Sequence, residues 1–345
     1  MTLAQMLLEW YDLYRRDLPW RRDSTPYSTL VSEIMLQQTR VEAVLPLYTK
    51  FMNRFPSIHD LAAAAQDEVL TSWQGLGYYS RARRLHQAAQ IVVAEHGGLV
   101  PDRKDALRSL PGIGDYTCGA ILSMAFGQPE MAIDGNLLRI GARLFLIHDP
   151  INRKKAKAQI QAKFEERIPT KRPGDFNQAL MDLGSLICLP KNPRCEQCPI
   201  SSTCQALLQD EVSKLPVREA PKPPVPVDVK LYLVESQDTI LLRKRQSGGF
   251  LQGMWELPWY ENSPQVVEAA PKVAEDLGDN DHVAIYKMEY VFSHRHWFMT
   301  IFHYEVMNQF YTPGENDTLY LWQPLALLDE IALPTVFKKA LKMRP

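Results

Sequence analysis

The chain has 345 residues, 46% hydrophobic and 23% charged. That length exceeds one comfortable core, so two domains are expected, and the composition excludes a disordered or fibrous chain. Its 39 basic and 40 acidic side chains exclude a uniformly basic nucleic-acid binder, but the net of −1 is the sum of +4 over residues 1–218 and −5 over residues 219–345.

In chain order, the opening MTLAQMLLEWYDLYRR is acidic and aromatic too early for a signal peptide. No window approaches ~18 uncharged apolar residues. A soluble cytoplasmic protein is expected. From residue 1 to about 210, apolar residues recur at helical spacing in short runs broken by Gly and Pro, the pattern of an all-helical domain. Leu30, Val31, Ile34 and Met35 form one amphipathic stripe, with Glu33 among them. Such an apolar setting raises a carboxylic acid's pKa and keeps its proton available. In LPGIGDYTCGAIL, Leu110 to Leu122, Gly112 and Gly114 make a tight hairpin that presents backbone N–H groups at the start of a helix. That arrangement suits a phosphate. The run Arg153, Lys154, Lys155, Lys157, Lys163, Arg167, Lys171 and Arg172 is a candidate phosphate surface.

Four of the five cysteines, Cys188, Cys195, Cys198 and Cys204, follow C-x6-C-x2-C-x5-C, with Pro190, Pro193 and Pro199 at the turns. Four thiolates in one loop can close around a metal centre, and zinc and a 4Fe–4S cluster both accept them. Residues 1–215 are read as the helical domain, with this loop at 188–204. Residues 216–227 are a proline-rich linker carrying Pro216, Pro221, Pro223, Pro224 and Pro226. Residues 228–345 change texture to α+β: VKLYLVESQDTILLRKRQ predicts a hairpin, HVAIYKMEYVFSHRHWFMTIFHYEVM predicts strands, and QVVEAAPKVAEDLG and LPTVFKKALKM predict helices.

The cysteine spacing resembles the cluster loop of the endonuclease III-like DNA glycosylases, and the Gly112–Gly114 turn resembles their helix-hairpin-helix. With VSEIMLQQT, GLGYYSRAR and MAIDGNLLRI, the chain is similar to the MutY-type adenine DNA glycosylases over nearly its whole length. The resemblance implies an all-α helix-hairpin-helix glycosylase with one 4Fe–4S cluster on the four cysteines, followed by an α+β Nudix-like lesion-recognition domain. The implied reaction is base-excision removal of adenine mispaired with 8-oxoguanine or guanine in duplex DNA, by a monomer in the cytoplasm, nucleoid-associated in a prokaryote. Glu33 resembles the general acid that protonates adenine N7, and Asp134 the carboxylate that stabilises the sugar cation. Tyr116 and Asn136 resemble residues supporting that aspartate and the sugar. Arg16, Trp20, Arg21, Leu36 and Gln178 match the adenine pocket. Gln37, Gln38, Thr39 and Tyr78 match groups approaching the opposite strand and the lesion, Gly112 and Gly114 the hairpin, and Phe292, Ser293 and His294 the turn that distinguishes 8-oxoguanine.

Relatives that cleave DNA carry a Schiff-base lysine where this chain has Tyr116, which has no amine. A monofunctional enzyme is therefore expected; the alternative is an endonuclease III-like glycosylase/lyase for oxidised pyrimidines. LLRKRQSGGFLQGMWELPWY, with Gly253, Trp255, Glu256 and Pro258, resembles the opening of a Nudix fold. The following segment lacks the paired glutamates that a Mg²⁺-dependent pyrophosphohydrolase needs.

Overall fold

A computed structural model describes all residues except 23, 221, 246–250, 262–276, 278–281, 310–319 and 345. The described residues divide into two compact units, residues 1–65 with 81–220 and residues 66–80 with 221–345. The first holds the helices expected from the apolar spacing: α1 Leu3–Tyr14, α2 Pro19–Arg22, α3 Pro26–Leu36, α4 Val41–Arg54 and α5 Ile58–Ala63. After α6, Gln66–Ser72, which belongs to the second unit, come α7 Ser80–His96, α8 Lys104–Ser109, α9 Asp115–Met124 and α10 Gly135–Leu144. The series ends with α11 Lys154–Glu165, α12 Pro173–Leu186 and α13 Gln205–Leu208.

Their starts are written locally. Thr2 with Gln5, Thr25 with Ser28, and Ser57 with Asp60 form reciprocal capping pairs at α1, α3 and α5, and Pro26 opens α3 where its missing N–H costs nothing. The predicted stripe on α3 is too narrow a description. Every residue from Ser28 to Met35 is buried, so α3 is a central helix enclosed on all faces. Helices α10 and α12 pack through Leu137, Ile140, Phe176, Leu180 and Leu183 in one apolar cluster. Gly184 makes their approach possible, because a Cβ there would lie 2.6 Å from Asn136 Cβ.

In the second unit, β1 Val225–Ser236 and β2 Thr239–Lys244 form the predicted antiparallel hairpin, with Gln237 at φ +54° in the turn. Strand β1 starts inside the proline-rich stretch. The remaining strands are β3 Trp255–Glu256, β4 Trp259–Glu261, β5 Ala284–Val291, β6 Arg295–Glu305 and β7 Tyr320–Pro324. The sheet runs β3-β2-β1-β6-β5, with β4 on β1 and β7 on β2. Strands β1 and β6 pair in parallel from Val225–Arg295 to Glu235–Glu305, and the other pairs are antiparallel. The predicted C-terminal helix is α14, Thr335–Leu341, which seals one face with Val336, Phe337 and Ala340. The helix expected in QVVEAAPKVAEDLG lies largely outside the described residues. Among those described, no helix is long and apolar enough to cross a membrane.

Candidate active site

Enclosure of α3 decides the state of Glu33. The side chain is 4% exposed, and burial, reinforced by the nearby Asp134 charge, pushes its pKa up to about 7 against a hydrogen bond from Tyr116. Tyr116, on the first turn of α9, donates its hydroxyl to Glu33 Oε2 at 2.5 Å. Burial and the flanking carboxylates hold its phenol well above its ordinary pKa, so it remains a donor.

Asp134 caps α10. One carboxylate oxygen accepts the Leu137 N–H at 2.8 Å, and the other accepts Asn136 Nδ2 at 2.8 Å. Burial raises its pKa, and these two donors oppose the rise. The Asn136 amide is itself oriented, because Arg139 donates to its oxygen at 2.9 Å. Arg139 also binds the carbonyls of Gly184 and Cys188. Glu33 and Asp134 thus differ in kind: one is a carboxyl with a single phenol donor, the other a carboxylate held by two N–H donors.

Two adjoining cavities share Leu36 and Tyr116. The first is lined by Trp20, Glu33, Gln178 and Met181, with Arg16 and Arg21. The second is a wider groove past Gln37, Gln38, the Gly112–Gly114 hairpin, Asp134 and Lys157. Of the basic run, Lys157 alone lines it; Arg172 instead pairs with Asp12 and Asp175. Gly112 has φ +85°, the left-handed conformation that the hairpin turn requires.

Sequence reading missed four residues that hold the site. Asp182 is fully buried, and its two oxygens bind both Arg16 and Arg21 at 2.7 Å. Burial alone would raise its pKa; Arg21 and Arg16 outweigh that and hold it below the usual carboxylate range. Arg81 donates to the carbonyls of Ile34, Met35 and Gln37 and to the Thr39 hydroxyl, so it clamps the turn in which exposed Gln38 takes φ +57°. Arg139 and Tyr11 complete the set. The one local signal was the Gln178–Asp182 spacing, i to i+4 on a helix, which puts both on one face.

Cys188, Cys195, Cys198 and Cys204 line one cavity beneath Arg143, whose Nη1 lies 3.3 Å from Cys188 Sγ. Among the described residues, no three Cys, His, Asp or Glu side chains are grouped closely enough for a single metal ion. Burial pushes the Cys198 thiol up to about 12, so ionised sulfurs here need a compensating cation. Four thiols on one cavity wall are a donor set of the kind that a thiolate-bound metal centre uses. The fifth cysteine, Cys118, is buried on α9 against the Lys104 carbonyl.

In the second unit, Phe292, Ser293 and His294 form the β5–β6 turn, closed by Phe292 N–H to the Arg295 carbonyl at 2.7 Å. Phe292 packs on Trp297, while Ser293 and His294 are exposed. The His296 ring packs at a tilt against Phe298 and lies 3.2 Å from Glu289. Glu256 is wholly buried, bound to Arg243 and Trp259 Nε1, and so acts as a structural anchor of its turn. Tyr78, half exposed at φ +46°, also belongs to this unit.

Residues 31–169 match the HhH-GPD superfamily of base excision DNA repair proteins, and residues 229–343 match the NUDIX domain. The chain is 31% identical to the adenine DNA glycosylase of Buchnera aphidicola subsp. Schizaphis graminum (strain Sg) over 344 residues, covering 99% of this chain and 98% of that one. It is 44% identical to the adenine DNA glycosylase of Homo sapiens over 218 residues, which is 61% of this chain and 40% of that protein. Among solved structures, a thermostable thymine-DNA glycosylase is similar at TM-score 0.55 and 31% identity, over 60% of this chain and 95% of that one.

Proposed function

The chain belongs to the adenine DNA glycosylases of base excision repair, and from that membership we propose that it hydrolyses the N-glycosidic bond of adenine mispaired with 8-oxoguanine or guanine in duplex DNA. The observation that carries the mechanism is the pair of unlike carboxyl groups near Tyr116, Glu33 bonded to its hydroxyl and Asp134 acting on it through charge. An extruded adenine enters the cavity beside Trp20 and Leu36. Protonated Glu33 delivers its proton to adenine N7, and the base leaves neutral. Ionised Asp134 stabilises the oxocarbenium-like sugar until water adds, gives its proton to the carboxylate left on Glu33 and leaves an abasic site. Asn136 holds Asp134 in place, and Tyr116, lacking an amine, forms no imine.

In the first unit, Gln37, Gln38 and Thr39 approach the strand opposite the adenine and the hairpin amides hold phosphate; in the second unit, Tyr78, Phe292, Ser293 and His294 are the groups that would meet the lesion base. Cys188, Cys195, Cys198 and Cys204 would hold a 4Fe–4S cluster, which when bound supplies positive charge and cross-links the loop. Arg143 supports that loop through the carbonyls of Leu189 and Pro190.

A panel of duplexes carrying adenine opposite 8-oxoguanine, guanine or thymine, and an oxidised pyrimidine opposite guanine, tests the assignment. Adenine release from the first two, with no borohydride-trapped protein–DNA adduct, is expected. Preferential release of the oxidised pyrimidine with a trapped adduct would instead identify the glycosylase/lyase.

The pH profile follows from the two carboxyl groups. Glu33 must carry its proton, so the single-turnover rate is expected to fall about tenfold per pH unit above its pKa of about 7. Asp134 must be ionised, so the rate also falls on the acid side. A bell-shaped curve whose alkaline limb begins near pH 7 is the expected result, and an alkaline limb unmoved by changing Glu33 would assign the proton elsewhere.

A further inference from the structure

Tyr11 is 2% exposed on α1, and its hydroxyl donates to Gln178 Oε1 at 3.1 Å. The phenol has little freedom. The Arg21 guanidinium lies 5.7 Å from its ring centre, and Arg21 is itself tied to Asp182, four residues beyond Gln178 on α12. Burial pushes the Tyr11 hydroxyl up to about 12, so it keeps its proton and must find an acceptor. Both oxygens of the nearby buried carboxylate, Asp182, are already occupied by arginine N–H groups. The Gln178 oxygen accepts the phenol hydrogen bond, and among the described residues Tyr11 is the only hydrogen-bond partner of the Gln178 side chain.

An amide has one acceptor end and one donor end. Gln178 lines the adenine cavity, and with its oxygen accepting from Tyr11 the end of the amide left for a base is its NH₂ group, which can donate but cannot accept. Adenine presents a lone pair at N1. Hypoxanthine and guanine carry a hydrogen there, which would meet N–H against N–H.

We propose that Tyr11 is a positioning residue for base selection, locking the Gln178 amide so that the cavity donates to adenine N1 and rejects bases with an N1–H. The inference rests on the adenine-excision reading and on Gln178 facing the base. Without the Tyr11 hydroxyl the amide can turn over and offer its oxygen to that N1–H, so selectivity falls even where packing survives.

The test compares single-turnover excision of adenine and of hypoxanthine, each opposite 8-oxoguanine. The proteins are wild type, Tyr11→Phe, Gln178→Leu and the double variant, with thermal unfolding recorded for each. Tyr11→Phe is expected to lower the adenine-to-hypoxanthine rate ratio roughly tenfold or more, and Gln178→Leu at least as far. Adding Tyr11→Phe to Gln178→Leu should then change nothing, because the group it acts through is gone. Equal slowing of both substrates by Tyr11→Phe would reduce its role to packing and overturn the proposal. So would a further shift of the ratio in the Gln178→Leu background. A Gln178→Leu ratio equal to wild type would also overturn it while leaving adenine excision standing; a wild type that releases no adenine would remove the underlying reading itself.

Discussion

Glu33→Gln is expected to lower the single-turnover rate of adenine excision by roughly a thousandfold or more, near the upper end for loss of a general acid. The substitution keeps the volume and can still accept the Tyr116 hydrogen bond, so it removes the proton and little else. It carries an opposite signature in stability. Glu33 has its folded pKa raised from 4.5 to about 7, so the stability it contributes is fully present below about pH 4.5 and is lost as pH rises through about 7. Glutamine has no such loss. The variant is therefore expected to exceed wild type by about 3 kcal/mol above pH 8, with the gap closing in acid. Rate and thermal unfolding measured on one preparation check both halves, and a variant that is slower and also less stable at high pH would contradict this account.

Asp134→Asn is expected to cost roughly a hundredfold to a thousandfold in the same assay, the range for removing one group that stabilises developing charge. Asparagine caps helices as well as aspartate, so α10 should persist. The cost in stability comes from the neighbour. The Asn136 amide is fixed by Arg139 with its NH₂ toward residue 134, and a second NH₂ there opposes it. About 1–2 kcal/mol is expected for that mismatch. If the thermal loss accounts for the whole rate loss, Asp134 serves only the helix.

These two residues were not equally readable from sequence. The surroundings of Glu33 lie within four positions of it, at Leu30, Val31, Ile34 and Met35, so its raised pKa follows from local pattern; that α3 is enclosed on every side does not. Asp134 gains its setting from Asn136 and Arg139, and its chemical assignment came only through family resemblance. Asp182 escaped notice because its partners Arg16 and Arg21 lie 166 and 161 residues away, and Tyr11 because it meets Gln178 across 167. The same distinction runs through the second unit. The β1–β2 hairpin is a local event around a two-residue turn, whereas the parallel pairing of β1 with β6 joins strands about 70 residues apart and leaves no short-range trace.

Arg81 has a consequence for how the protein meets its target. It holds the end of α3 and the Gln37–Gln38–Thr39 turn through three carbonyls and a hydroxyl, all within the protein. The conformational entropy of that turn, including the left-handed Gln38, is lost when the chain folds, so it is not subtracted again from binding. A protein scanning a long polymer makes a very large number of brief encounters. In the proposed role of this turn beside the strand opposite the adenine, a probe that had to order itself at each site would be slow and weak at all of them, whereas one already shaped could test a base pair and move on.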